Sequence, residues 1–232
     1  MRKFVFVTGP SESGKSGGVN YLAANYAENI KHLKIRNIFP EVYKDSGSTK
    51  EFQEWYDYEY ENNFESLWDR YIQKASDMSG DKKIVIMDTM YGVKTIKYLY
   101  SKLGENLGVL FIDADFEKRV EREYNRLRTD SPFSDRKADL TVTMGEVLAQ
   151  TNRKDASKRK KETFEYRDLV YCNDTIAVGD REKEKPFSYL INNNGTLEEF
   201  YQQLDTYAAK LLKETKGKVM VKKKKPENNF NN

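Results

Sequence analysis

Short apolar runs alternate along most of this chain with longer segments in which apolar residues recur every three or four positions. The runs predict buried strands and the longer segments predict helices. Predicted strands are residues 4–7, 83–88, 108–113 and 187–191, and predicted helices are 16–29, 93–103, 115–128 and 196–213. Leu33–Phe39 fits either a strand or the start of a helix. Strands separated by helices predict an α/β fold, a three-layer arrangement with a parallel sheet flanked by helices.

The first strand leads directly into a phosphate-binding motif. Gly9-Pro10-Ser11-Glu12-Ser13-Gly14-Lys15-Ser16 fits the Walker A pattern G-x-x-x-x-G-K-[ST] of a P-loop. In that motif backbone N–H groups surround the phosphates, the lysine reaches the β and γ phosphates, and the hydroxyl ligates magnesium. A helix that follows directs its positive end at the same anion. The motif predicts binding of ATP with Mg²⁺ by Gly9, Ser11, Glu12, Ser13, Gly14, Lys15, Ser16 and Gly17.

Two segments break the strand and helix alternation. Residues 41–72 are acidic and carry aromatic residues at three- and four-residue spacing, which predicts one or two amphipathic helices. These rings either form a wall of an acceptor pocket or simply pack on the sheet. Residues 129–166 are polar and include a basic stretch from Arg153 to Lys161. This segment is either a lid that closes over phosphates or an exposed helix face.

Length and composition indicate how many domains the chain forms, whether it enters a membrane and which metal it could bind. The 232 residues suit one domain, predicted at 1–213, and no apolar run has membrane-spanning or signal-peptide character, so we expect a cytoplasmic protein with no membrane partner. Cys172 and His32 are the sole cysteine and histidine, which excludes an internal disulfide and a zinc site of Cys and His ligands. Any metal is therefore expected to be magnesium held by oxygen atoms.

Charge is divided unevenly along the chain. The formal net charge is +3, but a run of lysines in 213–225 leaves the remaining residues with net negative charge. We predict a flexible lysine-rich tail at 214–232. Because no aromatic residues interleave with these lysines, a solvated tail is favoured over a nucleic acid partner.

Candidate groups for phosphoryl transfer follow the predicted strands. That reaction needs precise positioning and cations around the transferred phosphate. Asp88 ends a strand and is a candidate to hold magnesium or to orient the acceptor, with a helix-capping role as the alternative. Arg119, Arg122 and Arg126 recur at helical spacing after the next strand, either as catalytic cations or in surface ion pairs. With Lys15, these are the candidate catalytic residues, and Ser16 with Asp88 is the candidate metal site.

Four stretches together resemble the nucleoside monophosphate kinase superfamily, and within it the dephospho-coenzyme A kinase and deoxynucleoside monophosphate kinase-like branch. They are Gly9–Ser16, the strand ending at Asp88 with Gly92, residues 110–126 with their arginines, and Ile191–Glu199. The resemblance implies a kinase that moves the γ-phosphate of ATP to a small nucleotide-like acceptor. It also implies that Asn193 and Gly195 approach the adenine, and that Arg119 and Arg126 belong to a lid hinge.

One departure from that pattern concerns the acceptor phosphate. Many such kinases carry an Asp-Gly-x-x-Arg sequence whose arginine grips it, whereas Asp88–Lys94 contains no arginine. Lys94, Arg36 or Arg70 would have to substitute. Two other functions stay open on the sequence: a regulatory P-loop NTPase without kinase activity, and a nucleic-acid end kinase.

Overall fold

The computed structural model describes residues 2–88, 92–130, 137–160 and 187–217. Cys172, part of the predicted lid (131–136 and 161–166) and residues 218–232 of the predicted tail lie outside these ranges. In chain order the strands are β1 (Lys3–Thr8), β2 (Ile30–Lys34), β3 (Ile84–Asp88), β4 (Leu107–Asp113) and β5 (Phe187–Asn192). The helices are α1 (Lys15–Asn25), α2 (Ile35–Ser46), α3 (Phe52–Asn62), α4 (Phe64–Asp77), α5 (Val93–Leu103), α6 (Phe116–Leu127), α7 (Met144–Lys160) and α8 (Leu197–Gly217).

The strands form a parallel sheet in the order β2-β3-β1-β4-β5. Both faces of the sheet are covered, as the continuous apolar runs of its inner strands require. One face packs on α2, α3, α4 and α5, and the other packs on α1 and α8. This is the predicted three-layer α/β arrangement, a parallel sheet between two layers of helices.

Helices α2, α3 and α4 account for the aromatic stripe. Trp55, Phe64, Trp68 and Tyr71 are buried in the core between these helices and the sheet. Packing therefore explains most of the stripe, because amphipathic helices turn their apolar faces inward. Tyr56 is half-buried, and its ring meets the edge of Phe39 at 5.0 Å between centroids.

The sequence of Leu33–Phe39 fitted either a strand or the start of a helix, and the structure has both: the end of one strand and the start of one helix. Strand β2 ends at Lys34 and α2 begins at the next residue, Ile35. Helix α1 ends at Asn25 rather than at Asn29, because Tyr26 leaves helical geometry and the chain must turn into β2. Helix α8 starts as predicted, with Thr196 and Glu199 forming a capping box in which each side chain bonds the other residue's backbone N–H.

Within the described ranges, no helix combines the length and the apolar character needed to cross a bilayer.

Candidate functional site

The P-loop lies at the carboxyl edge of the sheet, between β1 and α1. Gly9 has a φ of 138°, and a Cβ there would lie 2.1 Å from the carbonyl oxygen of Ile112 on β4. Gly14 caps α1 with a left-handed φ of 97°, and a Cβ there would lie 2.4 Å from Nδ2 of Asn193. Both positions need glycine because the loop passes close to its neighbours. The loop is thus packed closely against β4 and against Asn193, while the phosphate contacts expected of its backbone stay a prediction.

Lys15 bends back over this loop. Its Nζ donates to the carbonyl oxygen of Pro10 and lies 3.5 Å from Oγ of Ser13. Burial lowers the pKa of Lys15 to about 8, although the charges of Glu12 and Asp88 oppose that shift. A desolvated ammonium at the start of a helix fits an anionic ligand, since phosphate oxygens would supply the partners that water supplies elsewhere.

Asn193 connects the last strand to the P-loop. Its side chain donates from Nδ2 to the carbonyl oxygen of Ser13 over 2.9 Å. Arg122 donates from Nη2 to the carbonyl oxygen of Asn193 at 2.7 Å. Burial lowers the pKa of Arg122. Gly195 is exposed at the start of α8. The adenine contacts implied for Asn193 and Gly195 stay predictions.

Arg119 is almost completely buried and is held by three elements. Its guanidinium donates to both carboxylate oxygens of Asp155 on α7, at 2.9 and 2.7 Å. It also donates to the carbonyl oxygens of Ala114 and of Ser11, the latter in the P-loop. Arg119 therefore fixes α6 and α7 against the phosphate loop.

Beside the Arg119–Asp155 pair lies a charged cluster, formed by Glu12, Glu123, Arg126 and Lys154. Lys154 Nζ donates to Glu12 at 2.8 Å and to Glu123 at 3.1 Å. Arg126 donates two bonds to Glu123, each 2.6 Å long. Burial would raise the pKa of Glu123, but the bonds from Arg126 and Lys154 outweigh it and hold that pKa below its ordinary value.

The backbone of Glu12 is itself unusual. Its φ is 60°, a left-handed conformation that a residue with a side chain adopts at a cost. This conformation accompanies the contact between its carboxylate and Lys154. Helix α7, which lies within the predicted lid, is thus anchored to the P-loop. Neither Glu12–Lys154 nor Arg119–Asp155 was predicted from the sequence.

Next to the P-loop is a cleft of about 420 Å³, the candidate acceptor cleft. Ser16 of the P-loop and Asp88 at the end of β3 both line it, together with cations and rings from β2, α2 and α3. The other lining residues are Lys34, Ile35, Arg36, Phe39 and Tyr56. Burial, and then its neighbours Tyr60 and Asp57, raise the pKa of Tyr56 to about 12, so its ring enters the cleft as a neutral phenol.

Two of the residues that line this cleft, Lys34 and Arg36, carry positive charge. Neither Lys34 nor Arg36 forms an ion pair with another described residue. Among the sequence's three candidates for an acceptor phosphate, Arg36 is the one that lines this cleft. Arg70 pairs with Glu59, and Lys94 lies over the Phe64 ring at 4.0 Å.

Magnesium fits the oxygen atoms at this edge of the sheet. Ser16 and Asp88 line one cleft and offer a hydroxyl and a carboxylate, which are hard donors suited to Mg²⁺ together with water and phosphate oxygens. Among the described residues no group of three His, Cys, Asp or Glu side chains converges to hold a metal by itself. The nucleotide would therefore supply ligands of its own.

Asp88 has a partner that sequence reasoning missed. His32 on β2 places Nε2 2.9 Å from Oδ1 of Asp88. The side chains are 13% and 6% exposed, so the contact is shielded from water. The sequence offered one weak signal for it, namely that the chain's single histidine lies just before the β2–α2 junction.

Comparison with solved structures gives long alignments at low identity. A sugar kinase from Janibacter sp. is 12% identical, with 91% of this chain and 95% of that chain covered and a TM-score of 0.46. A gluconokinase from Sinorhizobium meliloti is 12% identical, with coverages of 92% and 97% and a TM-score of 0.42. A Thermus thermophilus protein is 15% identical, with coverages of 90% and 98% and a TM-score of 0.45. No protein-family model and no curated protein sequence matches the chain. At these scores none of the solved structures transfers an activity or a substrate to it.

Proposed function

We propose that this protein is an ATP- and magnesium-dependent phosphotransferase whose acceptor is a small anionic molecule, nucleotide-like in its shape. The observation that carries the proposal is that Ser16 of the P-loop and Asp88 line the same cleft as two cations, Lys34 and Arg36. A binding protein for ATP alone has no need of a second cationic cleft beside the terminal phosphate position. The resemblance to the dephospho-coenzyme A kinase and deoxynucleoside monophosphate kinase-like branch agrees with this arrangement.

Each part of the cleft has a separate task. The P-loop amides and Lys15 bind the phosphates of ATP, and Lys34 and Arg36 attract the negative charge of the acceptor. Phe39 and Tyr56 offer an aromatic wall for a planar ring. Asp88 orients the acceptor or the water shell of magnesium, and magnesium when bound neutralises charge on the transferred phosphate.

Bond making in this transfer is simple. An acceptor oxygen attacks the γ-phosphorus, the bond from that phosphorus to the bridging β–γ oxygen breaks, and ADP leaves with the electron pair. Any hydroxyl proton of the acceptor passes to a base or to water. The protein's contribution is therefore alignment and charge, as phosphoryl transfer requires.

The test measures ADP release and identifies products by mass, using ATP, Mg²⁺ and a panel of nucleoside monophosphates, deoxynucleoside monophosphates and dephospho-coenzyme A. One acceptor that gives a phosphorylated product supports the proposal. ATP binding without a product from any acceptor, or ADP release that no acceptor accelerates, would favour a regulatory NTPase.

A pair of variants on one helix then tests the acceptor cleft. Arg36→Met should raise the KM for the acceptor about tenfold or more and leave the Kd for ATP unchanged, because it removes one charge-assisted contact. Lys44→Met removes a charge from the exposed far end of α2 and should change neither constant. Equal effects of the two variants would show that net charge, rather than the cleft, governs acceptor binding.

A further inference from the structure

Asp88 and His32 form a shielded contact on the sheet face that leads to the P-loop. Side chains along a strand alternate between faces. Ile84 and Ile86 belong to the core shared with α1 and α8, so Asp88, two residues further, continues on that face. On the neighbouring strand Ile30 lies in the same core, and His32 follows by the same alternation. Both polar groups thus extend an apolar row toward the start of α1.

Register alone does not bring these residues together. His32 is aligned with Ile86, whereas Asp88 is aligned with Lys34. The imidazole therefore reaches diagonally toward the carboxyl edge of the sheet to meet Oδ1. Lys34, directly opposite Asp88 and able to neutralise it, forms no ion pair with a described residue. The imidazole of His32 holds the carboxylate instead, and Lys34 lines the acceptor cleft.

Hydrogen-bond chemistry indicates which of the two side chains is the donor and which is the acceptor. An ionised carboxylate only accepts, so Nε2 of His32 carries the proton that is donated to Oδ1. No donor among the described residues reaches Oδ2. One oxygen of Asp88 is thus held by the protein, and the other is left for a ligand of the cleft that Asp88 lines with Ser16.

We infer that His32 is a positioning residue for the reaction: by holding Oδ1 of Asp88, it directs Oδ2 toward the groups bound beside Ser16. The inference rests on the proposed function, since it assigns His32 to the transfer step and not to nucleotide binding. Partners that orient a functional carboxylate or ligand typically contribute ten- to a hundredfold to activity, by fixing geometry and not by touching the substrate.

Two substitutions of similar length separate orientation from packing. His32→Gln keeps an N–H donor at about the reach of Nε2, whereas His32→Met fills similar space without a donor. We expect His32→Met to lower kcat about tenfold with the Kd for ATP unchanged, and His32→Gln to recover most of that loss. Equal losses of kcat in both variants, or wild-type kcat in His32→Met, would overturn the inference.

A second measurement needs no variant. Because His32 is the only histidine, ¹⁵N labelling gives a single imidazole whose NMR signals report which ring nitrogen is protonated. The wild type should show the Nε2–H tautomer at a pH well above the ordinary titration of imidazole. An Nδ1–H tautomer in an active wild type would overturn the inference alone. Absence of product from the wild type would overturn the proposed function, and the inference with it.

Discussion

Arg119 and Asp155 are joined by two parallel hydrogen bonds of 2.9 and 2.7 Å, and their side chains are only 4% and 11% exposed. The pair connects α6 to α7. Because Arg119 also donates to the carbonyl oxygen of Ser11, the same guanidinium supports the P-loop. This contact links the position of α7 to the conformation of the P-loop.

Asp155→Ala should reduce the free energy of unfolding by about 3 kcal/mol, because it leaves a buried guanidinium without its counter-ion. Chemical denaturation measures this loss. Asn152→Ala, on an exposed position of the same helix, is the control and should change stability by less than about 0.5 kcal/mol. An Asp155→Ala variant as stable as the control would show that Arg119 finds another partner.

The affinity for ATP should fall about tenfold between pH 7 and pH 9. In the free protein the pKa of Lys15 is about 8, so the side chain is largely neutral at pH 9. Nucleotide phosphates favour the ammonium form, so binding takes up a proton and weakens as the pH rises through that pKa. Titration calorimetry at both pH values measures the change.

The matched variant for this effect is Lys15→Met, in which the pH dependence should vanish along with turnover. Lys15→Ala should likewise abolish turnover without unfolding the protein. Full activity in Lys15→Ala would show that Lys15 does not act at the phosphate site. An unaltered pH dependence in Lys15→Met would show that another group takes up the proton when ATP binds.

Asp88→Asn should lower kcat about a hundredfold while the Kd for ATP is retained, because the amide keeps the shape of the side chain but loses its negative charge. Steady-state kinetics and equilibrium nucleotide binding supply the two constants. Asp81→Asn removes a highly exposed carboxylate shortly before β3 and should leave both constants unchanged. If Asp88→Asn keeps the wild-type kcat, Asp88 has only a structural role and takes no part in the transfer step.

Gly9→Ala should cost at least about 2 kcal/mol of unfolding free energy, because the new methyl group would meet the carbonyl oxygen of Ile112 and the backbone would be strained. Gly17→Ala is the contrast within the same loop and helix. Nothing lies within 4 Å of a Cβ at Gly17, and alanine favours helix, so stability should stay level or rise. Thermal or chemical unfolding measures the stability of both variants. Similar losses in the two would mean that the loop adapts to a side chain at Gly9.

Local signals in the sequence were enough to predict most of the strands and helices of the fold. The P-loop is a contiguous motif, and the buried strands β3 and β4 are contiguous apolar runs, so each is readable without its neighbours. Strand β2 was harder to predict because it lies at the sheet edge, is only five residues long and has just two buried residues, Ile30 and Leu33. The junction of β2 with α2 has no turn residue to separate the two patterns.

Contacts between distant segments carry no such local signal. His32 meets Asp88 only because β2 pairs with β3 in one register, and a shift of one residue would turn either side chain to the other face. Arg119 and Asp155 similarly depend on how α7 packs on α6. The sequence marked Asp88 and Arg119 by their place after strands but did not identify the residues that hold them.

The sheet order also shapes how the chain reaches its native state. Strand β1 comes first in the chain yet lies in the middle of the sheet, with partners at residues 84–88 and 107–113. During synthesis its Phe4–Val7 segment therefore stays unpaired at least until β3, about 80 residues further along the chain, has been made. Such long-range parallel pairing is slow and leaves an aggregation-prone segment exposed during synthesis. Expression at reduced temperature or with chaperones should accordingly raise the yield of folded protein.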